Sequence, residues 1–200
     1  MDYLRGCEDN AFDLAIVDPP YGIGGDSLHS NRKVDNGGYF KNTAVQTLNT
    51  KWDDSPPNES YFNELKRVSL NQIIWGGNYF NLGRTRGFIV WDKMQPFPNF
   101  SACEFAWVSF ERPSKLIQID TRYSGKIHPT QKPVKLYEWL LSNYAKEGDK
   151  ILDTHLGSGS SAIAAHYGGF DFVGMEIDKD YYDAAMKRFE AETAQLDIFA

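Results

Sequence analysis

Apolar residues recur along this chain with two periods, and the alternation between them predicts an α/β order. Residues 12–17, 70–75, 87–93, 150–153 and 170–176 are short apolar runs bounded by turn residues, as buried strands are. Residues 104–110 alternate apolar and polar, the pattern of an antiparallel strand with one face packed. Helical spacing governs residues 59–68, with Tyr61, Phe62, Leu65 and Val68 on one stripe. It returns in residues 134–144 (Val134, Leu136, Tyr137, Leu140, Leu141, Tyr144), in a helix through Ala162–Ala165, and in a closing helix over residues 181–196. The expected fold is α/β, a doubly wound and mostly parallel sheet in one domain spanning residues 1–200.

Between these elements the pattern lapses in three places. Residues 22–58 are polar, longer than a structural connection needs, and mix Arg32, Lys33, Lys41 and Lys51 with Tyr39, Phe40 and Trp52. That stretch is expected to be a mobile segment that orders around a ligand, with plain disorder as the other reading. Gly76-Gly77-Asn78-Tyr79-Phe80 follows a strand, so Asn78 and Tyr79 are candidates to line a pocket, the alternative being core packing of Tyr79 and Phe80. Residues 94–100 form a Pro-rich aromatic loop within a wider region, 93–127, expected to add ligand contacts.

The candidate chemistry sits at two strand ends. Asp18-Pro19-Pro20-Tyr21 comes directly off the run 12–17. Two prolines lack N–H groups and fix φ, so the chain leaves the sheet there. Asp18 and the Pro19 carbonyl can together accept both hydrogens of one exocyclic amino group, and Tyr21 offers a face to a flat heterocycle. The plainer reading is a Pro-Pro turn that caps a strand. The second site follows the strand 150–153: Asp153 leads into Gly157-Ser158-Gly159 and a helix, then a second strand ends in Glu176, 19 positions beyond Gly157. Strand, Gly-rich turn, helix, strand and terminal acid are the parts of a site for an adenosine-containing cofactor, the acid accepting from the ribose hydroxyls.

Taken together, these runs resemble the S-adenosylmethionine-dependent amino-methyltransferases of DNA (the N6-adenine/N4-cytosine family), in the permuted beta group whose catalytic motif precedes the cofactor motif. Asp18-Pro19-Pro20-Tyr21 is similar to that family's catalytic tetrapeptide, which implies catalytic roles for Asp18, Pro19, Pro20 and Tyr21. His128-Pro129-Thr130-Gln131-Lys132-Pro133 is similar to the run before the last helix ahead of the cofactor strand. The resemblance implies cofactor contacts at His128, Thr130, Lys132, Asp153, Gly157, Ser158, Gly159 and Glu176. It implies a Rossmann-like methyltransferase fold, S-adenosylmethionine as cofactor, DNA as partner and no metal. Asp18 at the first motif position favours adenine N6, with cytosine N4 as the alternative. The target base is expected to be flipped out of the duplex and methylated without a covalent base–enzyme intermediate. The family usually has Pro and Phe after the loop aspartate, where this chain has Thr154 and His155; His155 is read as a turn residue. The family also usually opens with a strand and an adenine-contacting acid, so Met1-Asp2-Tyr3-Leu4 reads as a start just after that point.

Charge modifies this picture. The net charge is −6, yet the segment from Arg84 to Lys135 carries nine Lys/Arg against four Asp/Glu. An acidic body with a basic central third fits a polyanion bound on one side, with ordinary solvated charge as the alternative. Cys7 and Cys103 form no CxxC pair, which argues against a disulfide framework or structural zinc. No membrane-spanning run or signal peptide is read, so a cytoplasmic bacterial or phage setting is expected, compatible with a homodimer. Two rivals stay open: a dinucleotide-dependent oxidoreductase on the same cofactor unit, and a non-catalytic nucleic-acid-binding module.

Overall fold

The computed structural model describes residues 1–23, 55–95, 101–121, 127–128 and 130–194. Twelve elements follow in order: α1 (Asp2–Gly6), β1 (Phe12–Val17), α2 (Glu59–Val68), β2 (Ser69–Trp75), β3 (Phe88–Asp92), β4 (Cys103–Val108), β5 (Lys115–Gln118), α3 (Val134–Tyr144), β6 (Lys150–Asp153), α4 (Ser160–Gly168), β7 (Asp171–Gly174) and α5 (Lys179–Thr193). Most of the residues expected between 22 and 58, the loop 96–100 and residues 195–196 of the closing helix lie outside the described residues.

The seven strands form one mixed sheet in the order β5-β3-β4-β2-β1-β6-β7. Only β4 runs antiparallel to its neighbours, as its alternating pattern predicts. Helices cover both faces. Leu14 and Ile16 of β1, with Ile73 and Trp75 of β2, pack under α3 and α4 through Leu136, Leu140, Ala164 and Ala165. Ala15, Val17 and Ile74 point the other way, into a core closed by Leu4 of α1 and Tyr61, Phe62, Leu65 and Val68 of α2. Strands buried on both faces cannot alternate apolar with polar, which is why Leu14–Val17 of β1 and Ile73–Trp75 of β2 read as continuous apolar runs.

Local chemistry fixes the helix ends. The Asn58 side chain accepts the Tyr61 N–H at 3.2 Å and starts α2; Asp178 does the same for α5 through Asp180 and Tyr181. α4 stops at Gly169, whose left-handed φ of 70° is open to glycine at little cost. Two elements have no counterpart in the sequence pattern: α1, and the four-residue edge strand β5, which pairs with β3 from Ile89↔Lys115 to Asp92↔Gln118.

Candidate active site

Parallel pairing brings the two strand ends together. β1 pairs with β6 (Leu14↔Ile151, Ala15↔Leu152), and β6 pairs with β7 (Asp153↔Gly174). Asp18, Asp153 and Glu176 therefore emerge side by side at the carboxyl edge of the sheet, where open α/β sheets take their ligands. β4 enters the sheet from the same edge because it is reversed, which brings Glu104, near its start, to this edge as well.

At the tetrapeptide, Pro19 is buried and Asp18, Pro20 and Tyr21 are half-buried. Tyr21 donates its phenolic hydrogen to Asp18 Oδ1 at 2.7 Å, and the other oxygen, Oδ2, pairs with the Lys132 ammonium. The Tyr21 ring stacks on Tyr79 at 4.9 Å and 16°, with Phe80 edge-on at 6.1 Å. Gly76 makes that placement possible. Its φ is +70°, and a Cβ there would stand 2.2 Å from a Tyr21 ring carbon. Gly77 similarly lies against the Trp107 backbone, so these two glycines admit protein neighbours. Tyr79 keeps an exposed face at the site, whereas Phe80 packs against the core under α2. Burial and the Asp18 charge push the Tyr21 phenol upward, so it stays a donor.

The Gly-rich turn is held by its acids. Asp153, fully buried, accepts the His155 N–H on Oδ1 at 2.9 Å and the Ser161 hydroxyl on Oδ2 at 2.6 Å. Burial pushes Asp153 up to about 7; these two hydrogen bonds oppose the shift, and nearby Asp18 and Glu176 add to it. Glu176 spans the turn, accepting Gly157 N–H on Oε2 and the Ile177 and Asp178 N–H groups on Oε1 at 2.9–3.0 Å. Gly157 and Gly159 have φ of 51° and 76°. Space beyond Gly157 is open apart from the His155 carbonyl and a His128 ring carbon. Arg188 of α5 donates to the Ser158 carbonyl at 3.0 Å and the Ser160 hydroxyl at 2.9 Å, pinning the loop from behind. Such a loop, with backbone N–H groups, an open glycine and an acid at the next strand end, fits the nucleoside and amino-acid parts of an adenosine-containing cofactor.

The run before α3 divides its residues between the two halves of the site. His128 lies beside Gly157, its ring 4.5 Å from Tyr181, and burial holds it near 4 and neutral. Thr130 is exposed and bonds back to His128 Nδ1 at 3.1 Å. Gln131 is buried and accepts the Ile127 N–H, closing the turn. Lys132 points away from the Gly-rich loop, onto Asp18. Pro129 lies outside the described residues.

Three parts of the site escape the sequence reading. Glu104 and Lys93 pair with each other, and Glu104 also reaches Lys132 at 3.1 Å. An acid in phase with Ala106 and Val108, the packed face of β4, is the signal that marks Glu104. Where the family has Pro-Phe, Thr154 bridges the Tyr61 hydroxyl at 2.6 Å and His155 Nδ1 at 2.9 Å, a polar chain that ties α2 to the loop. The third is Arg188, described above.

Two cations of the basic third lie away from the catalytic edge. Arg112 and Lys115 lie at the opposite edge of the sheet, where Arg112 donates to the Asn143 carbonyl and Lys115 to Asn143 Oδ1. Both also sit over Tyr144, at 5.6 and 5.7 Å from its centroid. They fasten β5 and the end of α3, and do not line the catalytic edge. Arg84 and Arg86 remain exposed, and Arg122 and Lys126 lie outside the described residues. Among the described residues no helix is long and apolar enough to cross a membrane, and no three His, Cys, Asp or Glu side chains converge as a metal site.

The chain is similar to known methyltransferases. The N6/N4 methyltransferase family model, described as DNA methylase, matches residues 90–187. Type II methyltransferase M2.MboI of Moraxella bovis is 25% identical over 248 aligned positions, covering 98% of this chain and 87% of that protein. Type II methyltransferase M2.DpnII of Streptococcus pneumoniae is 31% identical over 144 positions, covering 72% of this chain and 51% of that protein, so the chain spans about half of its length. Among solved structures, the M1.HpyAVI–SAM complex has a TM-score of 0.59 at 20% identity, covering 93% of this chain and 92% of that one. PvuII DNA methyltransferase, cytosine-N4-specific, has a TM-score of 0.60 at 16% identity, covering 96% and 86%. At these identities the two structures establish a shared fold.

Proposed function

We propose, for a chain that belongs to the N6/N4 DNA methylase family, transfer of a methyl group from S-adenosylmethionine to the N6 amino group of an adenine flipped out of DNA. Family membership removes the oxidoreductase reading. The observation that carries the proposal is the β1–β6 pairing, which sets Asp18 of the catalytic tetrapeptide beside the Asp153–Gly159 loop.

S-adenosylmethionine, when bound, supplies a methyl group activated by its sulfonium. Gly157, Ser158 and Gly159 would hold it through the loop backbone, Glu176 through its ribose and His128 from the facing turn. Asp153 shapes that loop from beneath, through His155 and Ser161. Asp18 and the Pro19 carbonyl would accept the two hydrogens of the target amino group. Hydrogen bonding in that way draws the nitrogen toward a tetrahedral shape and concentrates a lone pair otherwise delocalised into the ring. Tyr21 provides the stacking face, worth about 1–3 kcal/mol and enough to offset much of the few kcal/mol needed to unstack a base. The rate then comes from positioning and preorganised electrostatics.

Incubation with S-adenosylmethionine and DNA, followed by digestion to nucleosides, tests this reading. N6-methyladenine is the expected product. N4-methylcytosine would transfer the reading to the specificity of the PvuII relative, and no modified base in any DNA would leave a binding module.

A further inference from the structure

Lys132 is 3% exposed and contacts two carboxylates from different elements, Asp18 Oδ2 after β1 and Glu104 Oε2 in β4. Its ammonium also lies 5.2 Å from the centroid of the Trp75 ring. Behind Glu104 stands Lys93, directly after β3, so Asp18, Lys132, Glu104 and Lys93 make a row of alternating charges along the catalytic edge. Such a row is a poor way to stabilise a fold. Desolvating buried ions offsets most of their attraction, and an apolar set of the same volume usually does as well or better. The neighbours of Glu104 on the same strand face, Ala106 and Val108, are apolar and fully packed. The row therefore calls for a role in the site.

We infer that Lys132, backed by Glu104, is the positioning residue of Asp18: it holds Oδ2, and so directs Oδ1 toward the amino group being methylated. The inference rests on the methyltransferase reading above and adds to it a residue from the turn before α3. Asp18 and Glu104 are two carboxylates in one half-buried space, and the Lys132 ammonium stands between them. Burial alone would raise Glu104; Lys132 and Lys93 outweigh it and hold the acid at about 2. Among the described residues, the groups facing Asp18 are Tyr21 from its own loop, Lys132 from the turn, Glu104 from β4 and Asp153 from β6, with Tyr137 of α3 beyond Tyr21. Lys132 is the cation in that set, and the Tyr21 hydroxyl supplies the remaining donor.

The test compares Lys132→Met, Lys132→Arg and the double variant Lys132→Met/Glu104→Gln with the wild-type protein, measuring kcat for methyl transfer to DNA and KM for S-adenosylmethionine. Lys132→Met is expected to lower kcat by about tenfold or more near neutral pH. The loss should fall on kcat, because Asp18 Oδ2 loses the ammonium that holds the carboxylate in place. KM for S-adenosylmethionine should stay as in the wild type, and Lys132→Arg should restore most of the kcat. If Lys132→Met does not fold, the double variant, which replaces the ion pair by a neutral one, carries the test and should also lose about tenfold in kcat. Wild-type kcat in Lys132→Met, a loss confined to KM for the cofactor, or wild-type kcat in the double variant would each overturn the inference while leaving the activity assigned. A wild-type protein without methyl transfer would count against both.

Discussion

Tyr21 and Asp18, three positions apart, hold each other: the phenol donates to Asp18 Oδ1 at 2.7 Å while its ring lies on Tyr79. A base that takes the Asp18 acceptor must displace a hydroxyl of the same tetrapeptide. Ring and hydroxyl therefore have opposite effects. Tyr21→Phe keeps the stacking face and frees the acceptor, so kcat/KM should stay within about threefold of wild type. Tyr21→Ala should lose the about 1–3 kcal/mol of stacking, roughly one to two decades in kcat/KM. Steady-state kinetics on one DNA duplex separates the two, and equal damage would mean that the hydroxyl acts in the reaction.

Asp18→Ala should retain S-adenosylmethionine binding and lose most methyl transfer. The substitution removes a charged acceptor from the base side and leaves the Gly157–Glu176 contacts in place. A loss of about 2–4 kcal/mol, or roughly two to three decades in kcat, is expected. Single-turnover rates at saturating cofactor measure it; a rate near wild type would remove Asp18 from the mechanism.

Glu176→Ala should act on the other half of the site. It deletes the proposed ribose acceptor and also releases three N–H groups, those of Gly157, Ile177 and Asp178, which the carboxylate now fixes. Titration calorimetry should show cofactor affinity weakened by about tenfold or more, equivalent to about 1.4 kcal/mol or greater. Unchanged affinity would place the ribose elsewhere.

Neutralising Arg112 and Lys115 together should leave the salt dependence of DNA binding unaltered. Both cations are bound to Asn143 and stacked on α3 aromatics, across the sheet from the catalytic edge. Thermal unfolding should register the change instead, as a lower Tm. A salt slope flatter by about 0.9 per lost contact, seen by filter binding, would show that DNA reaches that edge.

Stability should respond to pH in two opposing ways. His128 and His155 are held neutral to about 4 by burial, against 6.5 when unfolded. Between those values the unfolded chain binds more protons, so their contribution is complete above about pH 6.5 and is lost as pH falls toward 4. Asp153 runs the other way. Raised from 3.8 to about 7, it keeps a proton in the folded state that the unfolded chain has released, and stability falls as pH rises through that window. Asp153→Asn removes this second effect. The Tm difference between variant and wild type should therefore grow in favour of the variant from pH 5 to pH 8. Calorimetric scans across that range would show a constant difference if Asp153 were ionised throughout.

The sequence alone determined the parts of this protein that depend on neighbours along the chain. Periodicity marks β1, β2, α2, α3 and β6 because burial on one or two faces leaves a local repeat, and Asp18-Pro19-Pro20-Tyr21 is legible because two prolines must end a strand. Short elements gave no such signal: α1 and β5 offer four or five residues each, too few for a period to show, and pairing with β3 decides that β5 is a strand. The tertiary structure alone decided where the charges go. Lys132 meets Asp18 across 114 positions, Glu104 reaches the site because β4 is reversed, and Arg112 and Lys115 of the basic third turn to the far edge. A sequence counts charges, but a charge acts through what lies within a few ångströms of it, and the order and direction of the strands set those distances.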